Sequence, residues 1–239
     1  MNDSFRQRLK SLLGSRLTTK VRCLVRGKPL PRWGNLRRLK PFSENFGFDR
    51  GTSVDRYYLN RFLQRKANLI RGSVLEIQSP GYTNRFGTEI VEAHSVDIDG
   101  SHRPTFICDL AESEGAIPSD RYDCFLLPNT LSVLKNIEGC LRHALRIVKP
   151  GGAILASTAG LAPLIPDGPD YWRHTKAGWE VVLERLWPNC EIAVEGHGNC
   201  LVAVAEMLQL SMEELTEQEL EFHDPRYPVL VTIACRKPT

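Results

Sequence analysis

Two carboxylates and one crowded loop are the residues of this 239-residue chain best suited to chemistry. Glu76 lies in the apolar run Val74-Leu75-Glu76-Ile77, and Asp97 follows a second run, Ala93-His94-Ser95-Val96. A strand, a small-residue turn and an acid roughly 20 residues further on present two carboxylate oxygens to the hydroxyls of a nucleotide ribose. The interval from Glu76 to Asp97 fits, with Asp99 as the runner-up. A Gly-x-Gly-x-x-Gly turn is expected after Ile77, but Gln78-Ser79-Pro80-Gly81-Tyr82 stands there instead. The stretch is therefore either an altered nucleotide pocket or a disused one.

The crowded loop is Asp170-Tyr171-Trp172-Arg173-His174-Thr175, which follows a Gly/Pro-rich stretch at 159–170. Loops that carry such groups on a rigid scaffold commonly bind ligands. Arg173 suits a bidentate hold on an anion, with Tyr171 and Trp172 beside it. The structural alternative is an Asp170–Arg173 ion pair with Trp172 simply packed. His174 and His197 titrate by type near pH ~6.5 and suit a general base, although a lone histidine is more often structural. Asp170 is a third candidate base. Asn129 and Thr130 follow an apolar run and are small polar groups on the same expected crevice. Tyr57 and Tyr58 sit at helical spacing, where aromatics more often belong to a core than to a site.

Hydrophobic residues at 42% and charged residues at 25% place the chain among ordinary globular proteins, long enough to bury one sizeable core. The net charge of +3 hides an asymmetry: residues 1–50 hold 13 of the 31 Lys and Arg but 3 of the 28 Asp and Glu. An anionic surface or membrane would meet this arm rather than the mildly acidic body. An Arg-rich transit peptide and a packed extension with solvated charges are the other readings of the arm. Seven scattered cysteines without a Cys-x-x-Cys point away from a disulfide framework or a zinc site and towards a reducing, cytoplasmic compartment. No apolar run approaches the roughly 18 residues of a membrane span.

The elements that must position these groups alternate between strand and helix, which predicts an α/β fold of about seven strands. Residues 2–28 read as two short basic helices, 28–34 as a Pro-rich connector with Trp33 as an anchor. Aromatics among turn residues at 41–56 predict a segment folded over something. A helix is expected from about Arg56 to Lys66 with Asp55 as its cap. Strands are expected at 74–77, 93–99, 105–110, 121–127, 153–158, 191–195 and 228–236. Helices are expected over 137–148 and from Thr175 to Trp187, with one or two more in 199–222. Lys149-Pro150-Gly151-Gly152 reads as a helix stop. The predicted division is a basic N-terminal extension, 1–50, and one α/β domain, 51–239.

Over residues 52–239 this layout resembles the class I S-adenosylmethionine-dependent methyltransferases. The marks are Val74-Leu75-Glu76-Ile77, Val96-Asp97-Ile98-Asp99, Asp109-Leu110, Tyr122-Asp123-Cys124-Phe125-Leu126-Leu127 and, most specifically, Leu145-x-x-x-Lys149-Pro-Gly-Gly-x-Ile-Leu155. The closing Val229-Leu-Val-Thr-Ile-Ala-Cys-Arg-Lys237 looks like the family's antiparallel last strand. Further stretches are similar to a bacterial, type 11-like subfamily that accompanies polysaccharide or natural-product assembly: 49–58, Tyr82-Thr-Asn-Arg-Phe-Gly87, 170–175, Gly198-Asn199 and Asp224-Pro-x-Tyr-Pro-Val229. That subfamily's first loop is also poor in glycine.

The resemblance implies a Rossmann-like doubly wound sheet with an antiparallel last strand, S-adenosylmethionine as donor and S-adenosylhomocysteine as product. Donor contacts would come from Glu76, Gln78, Gly81 and Tyr82 at the methionine end. Asp97 and Ile98 would take the ribose, Asp109 and Leu110 the adenine, and Asn129 the fourth strand's end. Glu76 would otherwise cap local amides, and Asp109 would otherwise cap a helix. The acceptor, a small sugar or secondary metabolite methylated on oxygen, would meet Tyr57, Tyr58, Tyr171, Trp172, Arg173 and Asn199. No metal is implied. The competing classes are a fold-retaining scaffold, an enzyme using the pocket for cyclisation or rearrangement, and, more weakly, nucleic-acid modification. Oligomeric state is not legible in the sequence.

Overall fold

The computed structural model describes residues 17, 20–28, 32–166 and 168–239. They fall into two compact units, Met1–Lys40 and Pro41–Thr239. In the first unit residues 20–25 are helical and Gly34–Leu36 form a 3-10 turn. The expected stripe of Phe5, Leu9, Leu12 and Leu13 lies outside the described residues, and the expected anchor Trp33 is exposed. Residues 41–50, grouped with the arm on charge, pack within the second unit. The Phe42 N–H donates to the Leu208 carbonyl (2.9 Å) and the Phe46 N–H to Gln209 Oε1 (2.8 Å).

The second unit is built on one seven-stranded sheet: β1 (Gly72–Ile77), β2 (Ile90–Asp97), β3 (Phe106–Ile107), β4 (Tyr122–Leu127), β5 (Val148–Ala159), β6 (Glu191–His197) and β7 (Leu230–Arg236). Their order is β3-β2-β1-β4-β5-β7-β6, with β7 antiparallel to both neighbours and the pairs from β3 through to β5 parallel. Parallel strands are buried on both faces and read as continuous apolar runs, as Cys124-Phe125-Leu126-Leu127 does. The helices of this unit are α1 (Val54–Arg65), α2 (Gly81–Phe86), α3 (Ile137–Ile147), α4 (Lys176–Leu186), α5 (Cys200–Met207) and α6 (Glu217–Glu221). Leu59, Phe62 and Leu63 of α1 pack with Val202 of α5 on one face of the sheet, against Val74, Leu126 and Leu155. Leu141 of α3 and Trp179 and Leu183 of α4 cover the other face, against Leu75, Phe125 and Ile154.

Several boundaries differ from expectation for local reasons. Helix α1 begins at Val54 after Ser53, and Asp55 lies inside its first turn rather than capping it. A carboxylate there is favoured by the helix dipole. Lys149-Pro150-Gly151-Gly152 stays within β5 as an irregularity between the pairs Tyr122–Val148 and Cys124–Ala153, with Gly151 supplying φ +75°. β3 shrinks to two residues, and β6 runs on to His197. The stretch 199–222 holds α5, a 3-10 turn at Met212–Glu214 and α6. Two non-glycine residues with left-handed backbone, Gln78 (φ 70°) and Asn129 (φ 49°), stand just past the adjacent ends of β1 and β4. Non-glycine residues held there persist only when their surroundings over-determine them, and they cluster at functional sites.

Gly47 fixes the segment that crosses the strand ends. Its φ is +80°, and a Cβ there would sit 2.7 Å from the Leu210 carbonyl oxygen. Gly47→Ala should therefore destabilise the domain by about 1–3 kcal/mol, read as a lowered denaturation midpoint. An unchanged midpoint would show that residues 41–53 are not held on the body.

Candidate active site

Strand order reverses between β1 and β4, so their carboxyl ends form the crevice where open α/β sheets bind ligands. Glu76 enters it from β1 but is only 1% exposed. Its Oε1 accepts the Tyr82 N–H (3.0 Å), and its Oε2 accepts the Thr83 N–H (2.8 Å) and the Thr83 hydroxyl (2.7 Å). Burial pushes its pKa up, opposed by those three hydrogen bonds. The side chain thus caps the start of α2 and ties the glycine-poor turn to β1, the alternative weighed from sequence. Gln78 gives its N–H to the Val96 carbonyl (2.8 Å), linking that turn to β2. At Gly81 an added Cβ would meet only Ser79 Oγ at 3.8 Å, so no close approach requires glycine there. The Tyr82 hydroxyl accepts from Arg56 Nη1 (2.9 Å).

The acids on the β2 side are more open. Asp97 Oδ1 accepts the Ile98 N–H (2.7 Å), and Oδ2 faces His102 Nδ1 at 3.3 Å. Asp99 Oδ1 accepts the Ser101 N–H (2.8 Å), and hydrogen bonds from Ser101 hold its pKa down. Asp97, Asp99 and His102 bring ligand atoms within 4.8 Å of one another, so a cation and a pair of hydroxyls would compete for the same oxygens. Ile98 and Ile107 are 71% and 63% exposed, and Ile107 lies in register with Asp97. The Asp109 side chain accepts the Ala111 N–H (2.8 Å) at the head of the 3-10 turn Leu110–Gly115, and Leu110 is buried.

Past β4, Asn129 is bound on three sides. Its N–H donates to Ser157 Oγ (2.7 Å), its Oδ1 accepts the Ser157 hydroxyl (2.8 Å), and its Nδ2 donates to Asp55. Asp55 also accepts the Ser53 hydroxyl (2.6 Å). Ser53, Asp55 and Asn129 line a cavity of about 190 Å³ together with Phe46, Phe48, Asp170, Arg173 and Glu206. Asp170 and Arg173 form an ion pair, and Arg173 Nη1 and Nη2 also donate to the Gly160 and Pro163 carbonyls (3.3 and 3.2 Å). Glu206 is buried, and desolvation, then the Asp55 charge, push its pKa up to about 8. Asp55, Glu206 and the two phenylalanines were not among the residues expected from sequence. An acid inside the apolar helix Cys200-Leu-Val-Ala-Val-Ala-Glu-Met207 is the signal for Glu206. The aromatics at 41–56 do fold over something, and it is this cavity.

The remaining candidates point elsewhere. Trp172 Nε1 donates to the Leu134 carbonyl (2.8 Å), and its ring stacks on His174 at 5.8 Å. His174 meets Trp179 edge-on at 4.9 Å. Tyr171 is exposed, its N–H donating to the Ser132 carbonyl (2.7 Å). His197 is hydrogen-bonded to Thr232 Oγ1 (2.7 Å) and stacked on Tyr58 at 5.8 Å, and burial pushes its pKa down to about 4. With Tyr57 and Tyr58 it lines a second, wider cavity of about 920 Å³. The Tyr58 hydroxyl donates to the Leu220 carbonyl (2.8 Å). Asn199 caps α5, accepting the Val202 N–H (3.0 Å) and donating to the Glu219 and Phe222 carbonyls (2.7 Å each).

Glu206 predicts a pH signature. Its folded pKa lies above its unfolded value, so its contribution to stability is fully present below about pH 4.5 and is lost as pH rises towards about 8. Glu206→Gln keeps a neutral group, so its denaturation midpoint should pull ahead of wild type between pH 5 and 8.5. The gain should reach a few kcal/mol in order of magnitude. A constant offset across that range would mean the carboxyl is ionised in the folded state.

No protein-family model matches the chain, and no curated protein matches it in sequence. Solved structures do match in fold. An S-adenosylmethionine-dependent methyltransferase of Mesorhizobium loti is 14% identical over 80% of this chain and 100% of its own, with TM-score 0.52. A SAM-dependent methyltransferase of Archaeoglobus fulgidus is 16% identical over 76% of this chain and 94% of its own, with TM-score 0.50. The 4+2 cyclase SpnF is 17% identical over 92% of each chain, with TM-score 0.51. Sheet order, the antiparallel β7 and these matches together establish that the chain has the Rossmann-like fold of the class I S-adenosylmethionine-dependent methyltransferases.

Proposed function

We propose that the protein is an S-adenosylmethionine-dependent methyltransferase acting on an oxygen of a small acceptor, a sugar or natural product, in cytoplasmic biosynthesis. The observation that carries this is the pairing, across the β1/β4 switch point, of an open acidic and apolar ledge with a small cavity lined by Asp55, Asn129, Asp170, Arg173 and Glu206. The residues on the ledge fit adenosine. Asp97 keeps acceptor capacity for ribose hydroxyls, because an ionised carboxylate offers about four lone-pair sites. Ile98 and Ile107 hold apolar surface in water that a purine ring would cover, each Å² contributing about 25 cal/mol. Asp109 is exposed beside Leu110 and can accept from an exocyclic amine.

S-adenosylmethionine supplies an electrophilic methyl group on a cationic sulfur. What the chain must add is orientation, since most of the acceleration of such a displacement comes from holding the two partners in contact geometry. Asp55, Asn129 and Ser157 set the position of the cavity wall next to the β4 end. Glu206 stands in the same wall as the group able to hold the acceptor's proton on its carboxylate as pH approaches 8. The basic arm would bring the enzyme to an anionic surface or membrane.

One observation favours a second reading. Both oxygens of Glu76 and the amides of Tyr82 and Thr83 are bonded to each other, leaving less for the methionine end of a donor. A scaffold, or an enzyme using the pocket for cyclisation, would not need those amides for a donor; the 4+2 cyclase SpnF shares this fold.

Calorimetry with S-adenosylhomocysteine separates the two. Binding is expected, and Asp97→Ala should weaken it about 10- to 100-fold, the loss of one or two hydrogen bonds to an ionised group, with the thermal midpoint little changed. No heat at millimolar ligand would favour the scaffold. Undiminished affinity in Asp97→Ala would remove the ribose assignment.

A further inference from the structure

The loop after β5 carries a surface that water does not suit. Gly160-Leu-Ala-Pro-Leu-Ile-Pro166 holds no charged residue. Its backbone is fastened to the body. The Gly160 and Leu161 N–H groups donate to the Val229 and Pro228 carbonyls (2.8 Å each), and Arg173 holds the Gly160 and Pro163 carbonyls. A Cβ on Gly160 would sit 2.3 Å from the Pro228 carbonyl oxygen, so the two segments lie against each other there. Yet Leu161, Leu164 and Ile165 stand in solvent, 43%, 66% and 36% exposed. A loop fixed through its backbone and apolar on its outer side is placed for contact.

This surface adjoins the mouth of the 190 Å³ cavity. Ile165 lines that cavity and is exposed, and so does Phe48 (48% exposed), from the segment before α1. A side chain that meets both the cavity and the solvent stands at the opening. Ala162 and Pro163, between the two exposed leucines, belong to the same lining. Whatever covers Phe48 and Ile165 therefore covers the entrance.

The charge of the chain selects the partner. Residues 1–40 hold 12 Lys and Arg and a single acid, Asp3. In the helical stretch 20–25, Val21, Leu24 and Val25 are exposed among Lys20, Arg22 and Arg26. A basic helix with its apolar side chains in water is the pattern that lies in the headgroup region of an anionic bilayer. One weak anchor gives only marginal, reversible attachment, whereas an apolar insertion joined to a polybasic segment gives a stable one. The chain carries one of each. Because they are covalently linked, engagement of either raises the local concentration of the other at the surface. A protein partner would have to supply both an acidic face and an apolar one; an anionic bilayer presents both everywhere.

We propose that the mouth of this cavity is a membrane-docking face: Leu161, Leu164, Ile165 and Phe48 enter the interface of an anionic bilayer, and the basic arm binds its headgroups. The cavity then opens towards lipid, and its ligand is an amphiphile whose polar head enters while its apolar tail stays in the bilayer. Naming that amphiphile the methyl acceptor rests on the function proposed above; the docking face does not.

Vesicle co-sedimentation of the full chain tests this, with phosphatidylcholine alone and with phosphatidylcholine containing about a third phosphatidylglycerol. Binding to the anionic vesicles should be tighter by about tenfold or more and should weaken as salt rises. Leu161→Asp/Leu164→Asp should lower affinity for them by about tenfold or more at an unchanged thermal midpoint, since both side chains are already in water. Leu164→Trp should keep binding, with added emission that shifts to shorter wavelength on the vesicles and is quenched by lipids brominated along the acyl chain. No sedimentation with either vesicle would overturn the proposal, as would equal binding to both. Undiminished binding of the double aspartate variant, or no quenching in Leu164→Trp, would leave the arm as sole anchor and overturn the docking face. S-adenosylhomocysteine calorimetry is run on the same protein. Its binding without sedimentation sinks the docking face alone, while sedimentation without it sinks the methyl-donor reading and leaves the docking face standing.

Discussion

The strand ends are tied to the first helix by one polar junction, in which Asn129 after β4 bonds both Asp55 on α1 and Ser157 in β5. Three elements that are distant in sequence meet there, in a place where unpaired polar groups would be costly. The left-handed backbone of Asn129 is tolerable only because its N–H and both ends of its amide are engaged.

From that junction the crevice divides into two chemical halves. Towards β2 the carboxylates of Asp97 and Asp109 stay partly open and apolar side chains stand in water, which suits a flat heterocycle with its sugar. Towards β5 the groups are more buried: desolvation pushes the pKa of Glu206 up to about 8, and Asp170 is ion-paired with Arg173. The low dielectric strengthens each satisfied contact and raises the cost of each unsatisfied one. Glu76 sits between the halves and does structural work, closing a turn that lacks the usual glycines by accepting its amides.

The histidines show how similar residues part company. His197 lies among Tyr58 and Thr232, where desolvation keeps it neutral above about pH 4. His174 is stacked on Trp172 and meets Trp179 edge-on, and it is not in the cavity lining. Neither joins Asp170 and Arg173, although His174 is the very next residue in the chain.

Local pattern was enough to predict the sheet, because a strand buried on both faces must be an apolar run wherever it stands. Val74 to Ile77, Tyr122 to Leu127 and the last strand could be read directly, as could the spacing from Glu76 to Asp97. Boundaries shaped by neighbours were not legible, since the bulge in β5 and the two-residue β3 answer to partners, not to propensity. The membership of the cavity was hidden for the same reason. Asp55, Asn129, Asp170 and Glu206 are separated by 35 residues or more along the chain, and a side chain's charge state and partners exist only once folding has removed the water between them. The residue types set which groups are available; which of them share a cavity is decided by tertiary packing.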